Sequence, residues 1–247
     1  TTFTARAFQE LDRAPVRVVP FPIPEPVSSG RRRSTFAPLA DADDRFVFGV
    51  VFDHLSVTER KNPRGVIRAF KQAFTPNEGP VLVIKTLNAG LRWVEHEQLN
   101  AEIGDRDDIR LWDHHLPIAD HHAFIESLDC LVSLHRSEGL GLHLAEAMWQ
   151  AVPVIASRYS GNLDFMNDES SVLIDVEMVR VADGLSAYPP TARWAEPDLD
   201  QAASAMVAMA GDPRTATTVG LAGRDKMLQQ TTPAEFAADV GRLLELG

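Results

Sequence analysis

Short runs of continuous apolar residues alternate with segments of helical spacing between residues 46 and 174. A strand that is apolar on both faces must be covered on both faces, which is the situation of a strand in a parallel sheet with helices packed above and below it. The pattern therefore predicts a Rossmann-like, doubly wound α/β domain. The predicted strands cover residues 46–52, 81–84, 109–112, 130–134, 153–156 and, as the last one, 172–174. The predicted helices between them cover residues 63–74, 91–103, 119–128 and 141–150.

The segments on either side of this pattern are less regular. Residues 1–15 predict an amphipathic helix, and residues 16–24 a short strand that ends in prolines, which cannot donate to a strand ladder. Residues 25–44 are expected to be a linker, which divides the chain into a start segment, 1–44, and a domain, 45–247. The arginines at 31–33 indicate a solvated surface run, with a phosphate or membrane contact as the alternative. From Asp198 onward the chain is alanine-rich, and Pro213 and Pro233 are placed to begin extra C-terminal helices.

The charge of the chain limits its ligands. Lys and Arg number 24 against 35 Asp and Glu, a net charge of −11, which argues against a broad nucleic-acid-binding face. A small anion remains possible where positive charge is local. The single cysteine, Cys130, lies in an apolar run and is expected to be a buried thiol in a reducing compartment. With no apolar stretch of membrane-spanning length and no signal peptide pattern, we expect a cytoplasmic protein, and we leave peripheral association with the inner membrane face open.

A strand, a glycine loop and a helix follow one another from Ser133 to Met148. Glu138 comes just after the strand, Gly139 and Gly141 follow it, and Glu146 lies eight residues beyond Glu138. Such a junction presents backbone N–H groups and the positive end of a helix dipole to a ligand. Eight helical residues span roughly 12 Å at ~1.5 Å per residue, about the reach from a ribose to a sugar across a diphosphate. The plainer alternative is that Glu138 caps the helix and Glu146 is solvated.

Two further loops follow predicted strands. Arg60 and Lys61 come after the first strand, so they should stand at the carboxyl edge of the sheet, where a guanidinium and an ammonium together can neutralise a diphosphate. The alternative is an exposed basic pair. The loop after the fifth strand contains Gly161 and Asn162, which permit unusual backbone angles, and it fits a ligand contact or a tight turn equally well.

Other classes of site find less support. The histidine pairs match no standard zinc spacing, and the Asp-x-Asp pairs do not follow apolar strands, so we expect no metal. The pairs concerned are His114–His115, His121–His122, Asp41/Asp43 and Asp198/Asp200. No G-x-G-x-x-G or P-loop pattern occurs, and no serine lies in a nucleophile elbow. Dinucleotide oxidoreductases and P-loop nucleotidases therefore lose their strongest sequence support.

The segment Ser137–Met148, with Val152–Ser157 after it, resembles the donor-site signature of the retaining glycosyltransferases of family 4, also called group 1. That signature is two glutamates separated by seven residues, with glycines after the first. It belongs to the C-terminal, nucleotide-sugar-binding half of GT-B enzymes, which consist of two facing Rossmann-like domains. The resemblance covers about residues 46–240, and it extends to Arg60–Pro63, Ala69–Phe70, Gly161–Met166 and Trp194–Asp198.

The resemblance implies a role for each residue of the motif. Glu146 would hold the ribose hydroxyls, Glu138 would face the donor sugar, and Lys61 with Arg60 would neutralise the diphosphate leaving group. No metal or cofactor is implied besides the nucleotide diphosphate sugar, which is the donor substrate, and a hexose would be transferred with retention of configuration. The candidate catalytic residues are Glu138, Arg60 and Lys61, and the candidate donor-binding residues are Gly139, Leu140, Gly141, Leu142, Glu146, Asp53, Ser56, Gly161 and Asn162.

The sequence departs from the family pattern in two respects. The common form has an arginine after the glycine of the first strand; here Val50 follows Gly49, so we expect that role to pass to Arg60 or elsewhere, and the contacts of Asp53 and Ser56 stay unassigned. A complete enzyme also has an N-terminal domain with most of the acceptor site.

Residues 1–30 resemble the segment that joins the two halves, and the chain begins with Thr1. We therefore expect the donor-binding half, inactive alone, with an unknown acceptor that could be a saccharide, a lipid-linked glycan or a small molecule. The alternatives are a nucleotide-binding or interaction module without turnover, and a GT-B-like epimerase or phosphorylase.

Overall fold

One parallel sheet organises the chain. The computed structural model describes residues 1–12, 14–76, 78–181, 188–189 and 191–245. The strands of the sheet are β1 (Val47–Asp53), β2 (Val81–Leu87), β3 (Ile109–Asp113), β4 (Cys130–Ser133), β5 (Val154–Ser157) and β6 (Val172–Ile174). Their order is β3-β2-β1-β4-β5-β6, and all neighbours pair in parallel. The order reverses between β1 and β4, the point at which doubly wound sheets bind their ligands. The predicted Rossmann-like fold is confirmed.

Helices cover both faces of this sheet. The helices among the described residues are α1 (Thr2–Gln9), α2 (Thr58–Lys61), α3 (Pro63–Ala73), α4 (Trp93–Ile103), α5 (Ile118–Glu126), α6 (Leu142–Trp149), α7 (Leu199–Gly211), α8 (Pro213–Leu228) and α9 (Pro233–Glu245). Side chains of a strand alternate between its faces. In β2, Val81 and Val83 pack in a core with α5 and α6, while Leu82 and Ile84 pack in a second core with α3, α4 and α7. This is why the strands are continuously apolar.

Proline and its preceding residue set several helix starts. Pro63, Pro213 and Pro233 each occupy the first position of a helix, as predicted. Asn62 caps α3 by accepting from the Gly65 N–H, and its own φ of 54° is left-handed. None of the helices among the described residues is both long and apolar enough to span a bilayer. Cys130 is buried, and burial raises the pKa of its thiol.

The predicted strand at residues 16–24 is wrong. This stretch has no regular structure, since the prolines at 20, 22 and 24 remove the N–H groups that a ladder requires. It is nevertheless attached to the domain, because the Ile23 carbonyl accepts from the Trp149 indole at 3.1 Å.

The segment before β1 packs against the domain. Phe36 and Leu39 are buried in the core beside Phe124 of α5. Two arginines of the 31–33 triplet are ion-paired: Arg31 with Asp120 at 3.0 Å and Arg33 with Asp129 at 2.9 Å.

A small hairpin follows the sheet, and the prediction that 172–174 is the last strand is wrong. Strands β7 (Val176–Arg180) and β8 (Arg193–Pro197) pair antiparallel. β7 is half-buried to exposed and contains Glu177 and Arg180, and β8 contains Arg193 and Glu196, so neither gives the continuous apolar run of the main sheet. In β8, Trp194 and Ala195 are buried and Glu196 is only partly exposed.

Candidate functional site

The loops that follow β1 and β4 lie side by side at the carboxyl edge of the sheet, at the point where the strand order reverses. The Arg136 N–H donates to the Arg60 carbonyl at 2.8 Å, and the Asn62 side chain donates to the Leu134 carbonyl at 2.9 Å. Asn62 thus caps α3 and fastens the two loops together. The sequence prediction that these two segments share one edge is confirmed by these contacts.

Glu138 is held by both predicted cations. Lys61 Nζ donates to Glu138 Oε1, and Arg60 Nη1 lies 3.4 Å from the same oxygen. Arg60 also donates to the Ser137 carbonyl at 2.7 Å. The two basic side chains are mostly buried, so the alternative of an exposed basic pair is wrong.

Glu138 is 7% exposed. Burial alone would raise its pKa, but His143, Lys61 and Arg60 together outweigh burial and hold the pKa of this carboxyl below its usual value. The site therefore contains a buried carboxyl group with two cationic partners.

The glycine loop leads into α6 without a side-chain cap. Gly141 has a φ of 85°, a left-handed angle that suits glycine, and it is the N-cap residue of α6. Because Glu138 does not cap this helix, that alternative is wrong, and the positive end of α6 faces the site without a protein carboxylate on it. Gly139 is exposed, Leu140 is half-buried and Leu142 is exposed.

Glu146 lies between two histidines. Its two carboxylate oxygens are each 3.6 Å from an imidazole Nε2, one of His121 and one of His122, at the start of α5. Glu146 is 8% exposed, so the alternative of a solvated carboxylate is wrong. Among the described residues, no group of three or more His, Cys, Asp or Glu side chains is arranged to hold a metal ion.

Asp53 and Ser56 shape the loop after β1 through contacts with the protein. Asp53 Oδ1 accepts from the Leu55 N–H at 2.9 Å and from Asn88 at 2.8 Å. The Ser56 carbonyl accepts from Arg60 Nε at 3.1 Å. Between them and α2, Val57 has a φ of 63°, a rare conformation for a β-branched residue, and such backbone strain gathers at functional sites.

Gly161 and Asn162 support the Glu138 loop from behind. The Gly161 N–H donates to the Glu138 carbonyl at 3.0 Å, and the Glu138 N–H donates to the Ser160 hydroxyl at 2.8 Å. A Cβ added at Gly161 would lie 2.0 Å from the Gly139 carbonyl oxygen. Asn162 is fully buried and donates to the Ser157 carbonyl at 3.1 Å. The contacts of this loop are with the protein, in a single 3-10 turn.

His135 is a supporting residue that the sequence analysis did not single out. It is fully buried and lies 3.0 Å from the Ser133 hydroxyl, 3.1 Å from the Tyr159 carbonyl and 3.2 Å from Asn162 Oδ1. Burial lowers the pKa of its imidazole. The sequence signal that could have identified His135 is its position, as a polar residue between an apolar strand and Glu138.

His135 should make the stability of the protein sensitive to acid. Its folded-state pKa is lowered, so below about pH 6.5 the unfolded chain binds a proton that the folded chain does not, and stability falls as the pH falls. The slope expected from one such histidine is about 1.4 kcal/mol per pH unit. Urea unfolding of His135→Asn between pH 7 and pH 5 should show a slope shallower by about that amount. The matched control is His115→Asn at an exposed histidine, which should keep the parent slope; equal slopes in all three proteins would contradict the prediction.

Comparisons with known proteins agree with this geometry. The family model for glycosyl transferases group 1 matches residues 54–185, which is more than half of the chain. No curated protein matches the sequence. Sucrose-phosphate synthase from Thermosynechococcus elongatus aligns over 98% of this chain and 55% of its own, with a TM-score of 0.67 and 20% identity.

Two further solved structures align with most of this chain. HepE from Anabaena, in complex with UDP and glucose, aligns over 87% of this chain and 52% of its own, with a TM-score of 0.62 and 14% identity. The C-terminal domain of the glycosyl transferase group 1 family protein LpcC from Francisella tularensis aligns over 84% of this chain and 96% of its own, with a TM-score of 0.58 and 15% identity.

The chain spans about half the length of the first two of these structures and almost all of the isolated C-terminal domain. It has the fold of one Rossmann-like half of the GT-B glycosyltransferases. The matched segment includes both of the loops that form the site, from His54 to Gly161. The chain belongs to the glycosyl transferases of group 1.

Proposed function

We propose that this chain binds a nucleoside diphosphate sugar at the carboxyl edge of its sheet and, together with a second domain that faces this edge, transfers the sugar to an acceptor. The observation that carries the proposal is that four charged side chains converge at the switch point. Glu138 lies with Lys61 and Arg60 at one side of the start of α6, and Glu146 lies further along this helix. The transfer would retain the anomeric configuration, would involve a hexose, and would need no metal.

The diphosphate belongs beside the cations. Lys61 and Arg60 supply positive charge in a chain of net charge −11, and the uncapped start of α6 adds a partial positive charge nearby. As the bond between the anomeric carbon and the phosphate oxygen breaks, the leaving diphosphate gains negative charge, which these groups stabilise. The acceptor hydroxyl then bonds to the anomeric carbon from the same face, and the leaving phosphate takes its proton.

Glu146 is suited to the ribose. A carboxylate can accept hydrogen bonds from both hydroxyls of a cis-diol. His121 and His122 lie 3.6 Å from its two oxygens and flank the carboxylate on the edge. Neighbours that limit the rotation of a side chain in advance lower the entropy cost of binding.

An apolar rim surrounds the charged site and supports a facing domain. Large apolar side chains are exposed on the segments that follow β1, β2, β3 and β4, which all end at this edge. They are Leu55, Leu91, Trp93, Ile118 and Leu142. A group of exposed apolar residues at one edge is typical of an interaction surface. The chain also spans only about half of the first solved structures it aligns with.

The proposal is tested by calorimetry on the chain as it stands. UDP is the first probe because the HepE structure holds it, with GDP and ADP to find the preferred base. Glu146→Ala should weaken the preferred diphosphate about tenfold, the loss expected for a charge-assisted contact of ~1.4 kcal/mol. The parent should also bind the 2′-deoxy nucleotide more weakly than the ribonucleotide, and Glu146→Ala should lose that discrimination.

Controls separate binding from turnover. Glu97→Ala, at an exposed glutamate of α4, should bind as the parent does. The absence of binding to all three nucleotides, or an unchanged affinity in Glu146→Ala, would contradict the proposal. Binding without sugar transfer by a full-length enzyme would instead indicate a nucleotide-binding module.

A further inference from the structure

Arg136 joins three segments of the site through its side chain. Its Nε and Nη2 donate to the two oxygens of Glu196 in β8, at 2.7 and 2.8 Å. Its Nη1 donates to the Glu59 carbonyl in α2 at 2.7 Å. The guanidinium also lies over the Trp194 ring, 5.0 Å from the ring centroid. All three nitrogens and one face of this arginine are therefore occupied by protein groups.

The backbone of Arg136 ties the same segments together. Its N–H donates to the Arg60 carbonyl at 2.8 Å, and its carbonyl accepts from the Ala195 N–H at 3.1 Å. Arg60 in turn donates from its guanidinium to the Ser137 carbonyl at 2.7 Å. Each of the two arginines thus bonds to the backbone of the other's loop, and the β7–β8 hairpin is attached to this pair from outside.

We propose that Arg136 is a positioning residue for the diphosphate: with Glu196 and the hairpin, it fixes the Arg60–Lys61 segment against the loop that carries Glu138. This inference rests on the proposed function, because it concerns the same site. Arg136 acts through the protein, since each of its three guanidinium nitrogens donates to a protein group. It acts by holding two long cationic side chains in place before the ligand arrives, which reduces the conformational entropy lost on binding.

The arrangement requires an arginine. The planar guanidinium donates to a carboxylate with two nitrogens and still has a third nitrogen for the Glu59 carbonyl, while its face stacks on an aromatic ring. A lysine at position 136 would keep the charge and could keep one of these contacts. Arg136→Lys therefore loosens the attachment without removing the charge.

The test compares diphosphate with monophosphate binding. In calorimetry, Arg136→Lys should weaken UDP about tenfold and UMP less than about threefold, because the displaced cations matter most where phosphate charge is greatest. If GDP or ADP is the preferred diphosphate of the parent, it and its monophosphate take the place of UDP and UMP. A purely structural role would weaken both nucleotides equally.

A second arginine provides a matched control. Arg106 makes the same kinds of contact at the amino edge of the sheet: two nitrogens donate to Asp108 at 2.7 Å, one also donates to the Phe74 carbonyl at 3.1 Å, and the guanidinium lies 5.7 Å from the Phe70 ring centroid. Arg106→Lys should lower thermal stability and leave both nucleotide affinities unchanged.

Each remaining outcome decides the question. If Arg136→Lys does not fold, Glu196→Gln, which keeps the Glu59 contact, should weaken the diphosphate about threefold with the same selectivity. If the parent binds the diphosphate, and the variant that folds either binds as the parent does or loses the same affinity for diphosphate and monophosphate, the positioning role alone is overturned. No diphosphate binding by the parent would overturn the proposed function and this inference with it.

Discussion

Replacing Lys61 with methionine is expected to weaken the binding of the preferred nucleoside diphosphate about 10- to 100-fold, the effect of losing one charge-assisted contact of about 1.5–3 kcal/mol. Lys61 is one of two cations held against Glu138 at the start of the uncapped α6 helix. The methionine keeps most of the apolar stem of lysine, so the change removes charge rather than volume. Calorimetry at constant ionic strength measures the effect.

The same substitution should also lower stability, for a separate reason. Glu138 is 7% exposed and would keep Arg60, at 3.4 Å, as its remaining ion-pair partner. A buried carboxylate that loses its hydrogen-bonded cation costs about 2 kcal/mol in the free energy of unfolding. The double variant Lys61→Met/Glu138→Gln should recover much of that stability, because the remaining amide is neutral, yet it should not recover the affinity.

Lys71→Met is the matched control for both measurements. Lys71 is in α3 and its ammonium donates to the Glu102 carbonyl of α4, so it is also a partly buried lysine with a protein partner. This variant should bind the nucleotide as the parent does. Parent-like affinity in Lys61→Met would mean that Lys61 serves only to neutralise Glu138.

The strands of the sheet could be predicted because each one must be apolar on both faces, and this pattern is visible in a short stretch of sequence. Val81 to Ile84 alternate between two cores, so each residue must be apolar, and the run is recognisable without its neighbours. The hairpin could not be predicted in this way. Its stability depends on contacts with Arg136 and with the rest of the hairpin, which are distant in sequence, while each of its two strands includes two charged residues.

The part of the site that could be predicted consists of residues that follow the carboxyl ends of parallel strands. Arg60, Lys61 and Glu138 each follow an apolar strand closely, and parallel strands end at one edge, so their proximity follows from the fold class. The two histidines beside Glu146 could not be predicted in this way, because they come from α5 and not from the end of a strand. Nothing in the spacing of His121 and His122 indicates that they contact a carboxylate. Their orientation depends on the angle at which α5 and α6 pack.

Gly161→Ala is expected to be the most damaging small substitution at the site. An alanine Cβ would lie 2.0 Å from the Gly139 carbonyl oxygen and 2.9 Å from the Leu140 backbone nitrogen, so one backbone segment must move. Overpacking against backbone costs about 3 kcal/mol, because backbone cannot rotate away as a side chain can. The segment that moves carries Glu138, whose N–H and carbonyl are both bonded to residues 160 and 161. We therefore expect a loss of stability in urea unfolding together with at least tenfold weaker diphosphate binding, the affinity equivalent of ~1.4 kcal/mol.

Two other glycines separate the packing effect from the effect on the site. Gly139→Ala has open space around its Cβ, so it should change the free energy of unfolding by less than about 0.5 kcal/mol, as for ordinary surface substitutions. Gly220→Ala, in α8, would place its Cβ 2.0 Å from the Ala151 carbonyl oxygen, the same kind of clash after the C-terminal end of α6 and outside the Glu138 loop. It should destabilise the protein about as much as Gly161→Ala and leave the affinity of the folded protein unchanged. If Gly161→Ala and Gly220→Ala weaken binding equally, the loss reflects global stability; if only Gly161→Ala does, the close approach of Gly161 to Gly139 is what holds Glu138 in position for the diphosphate.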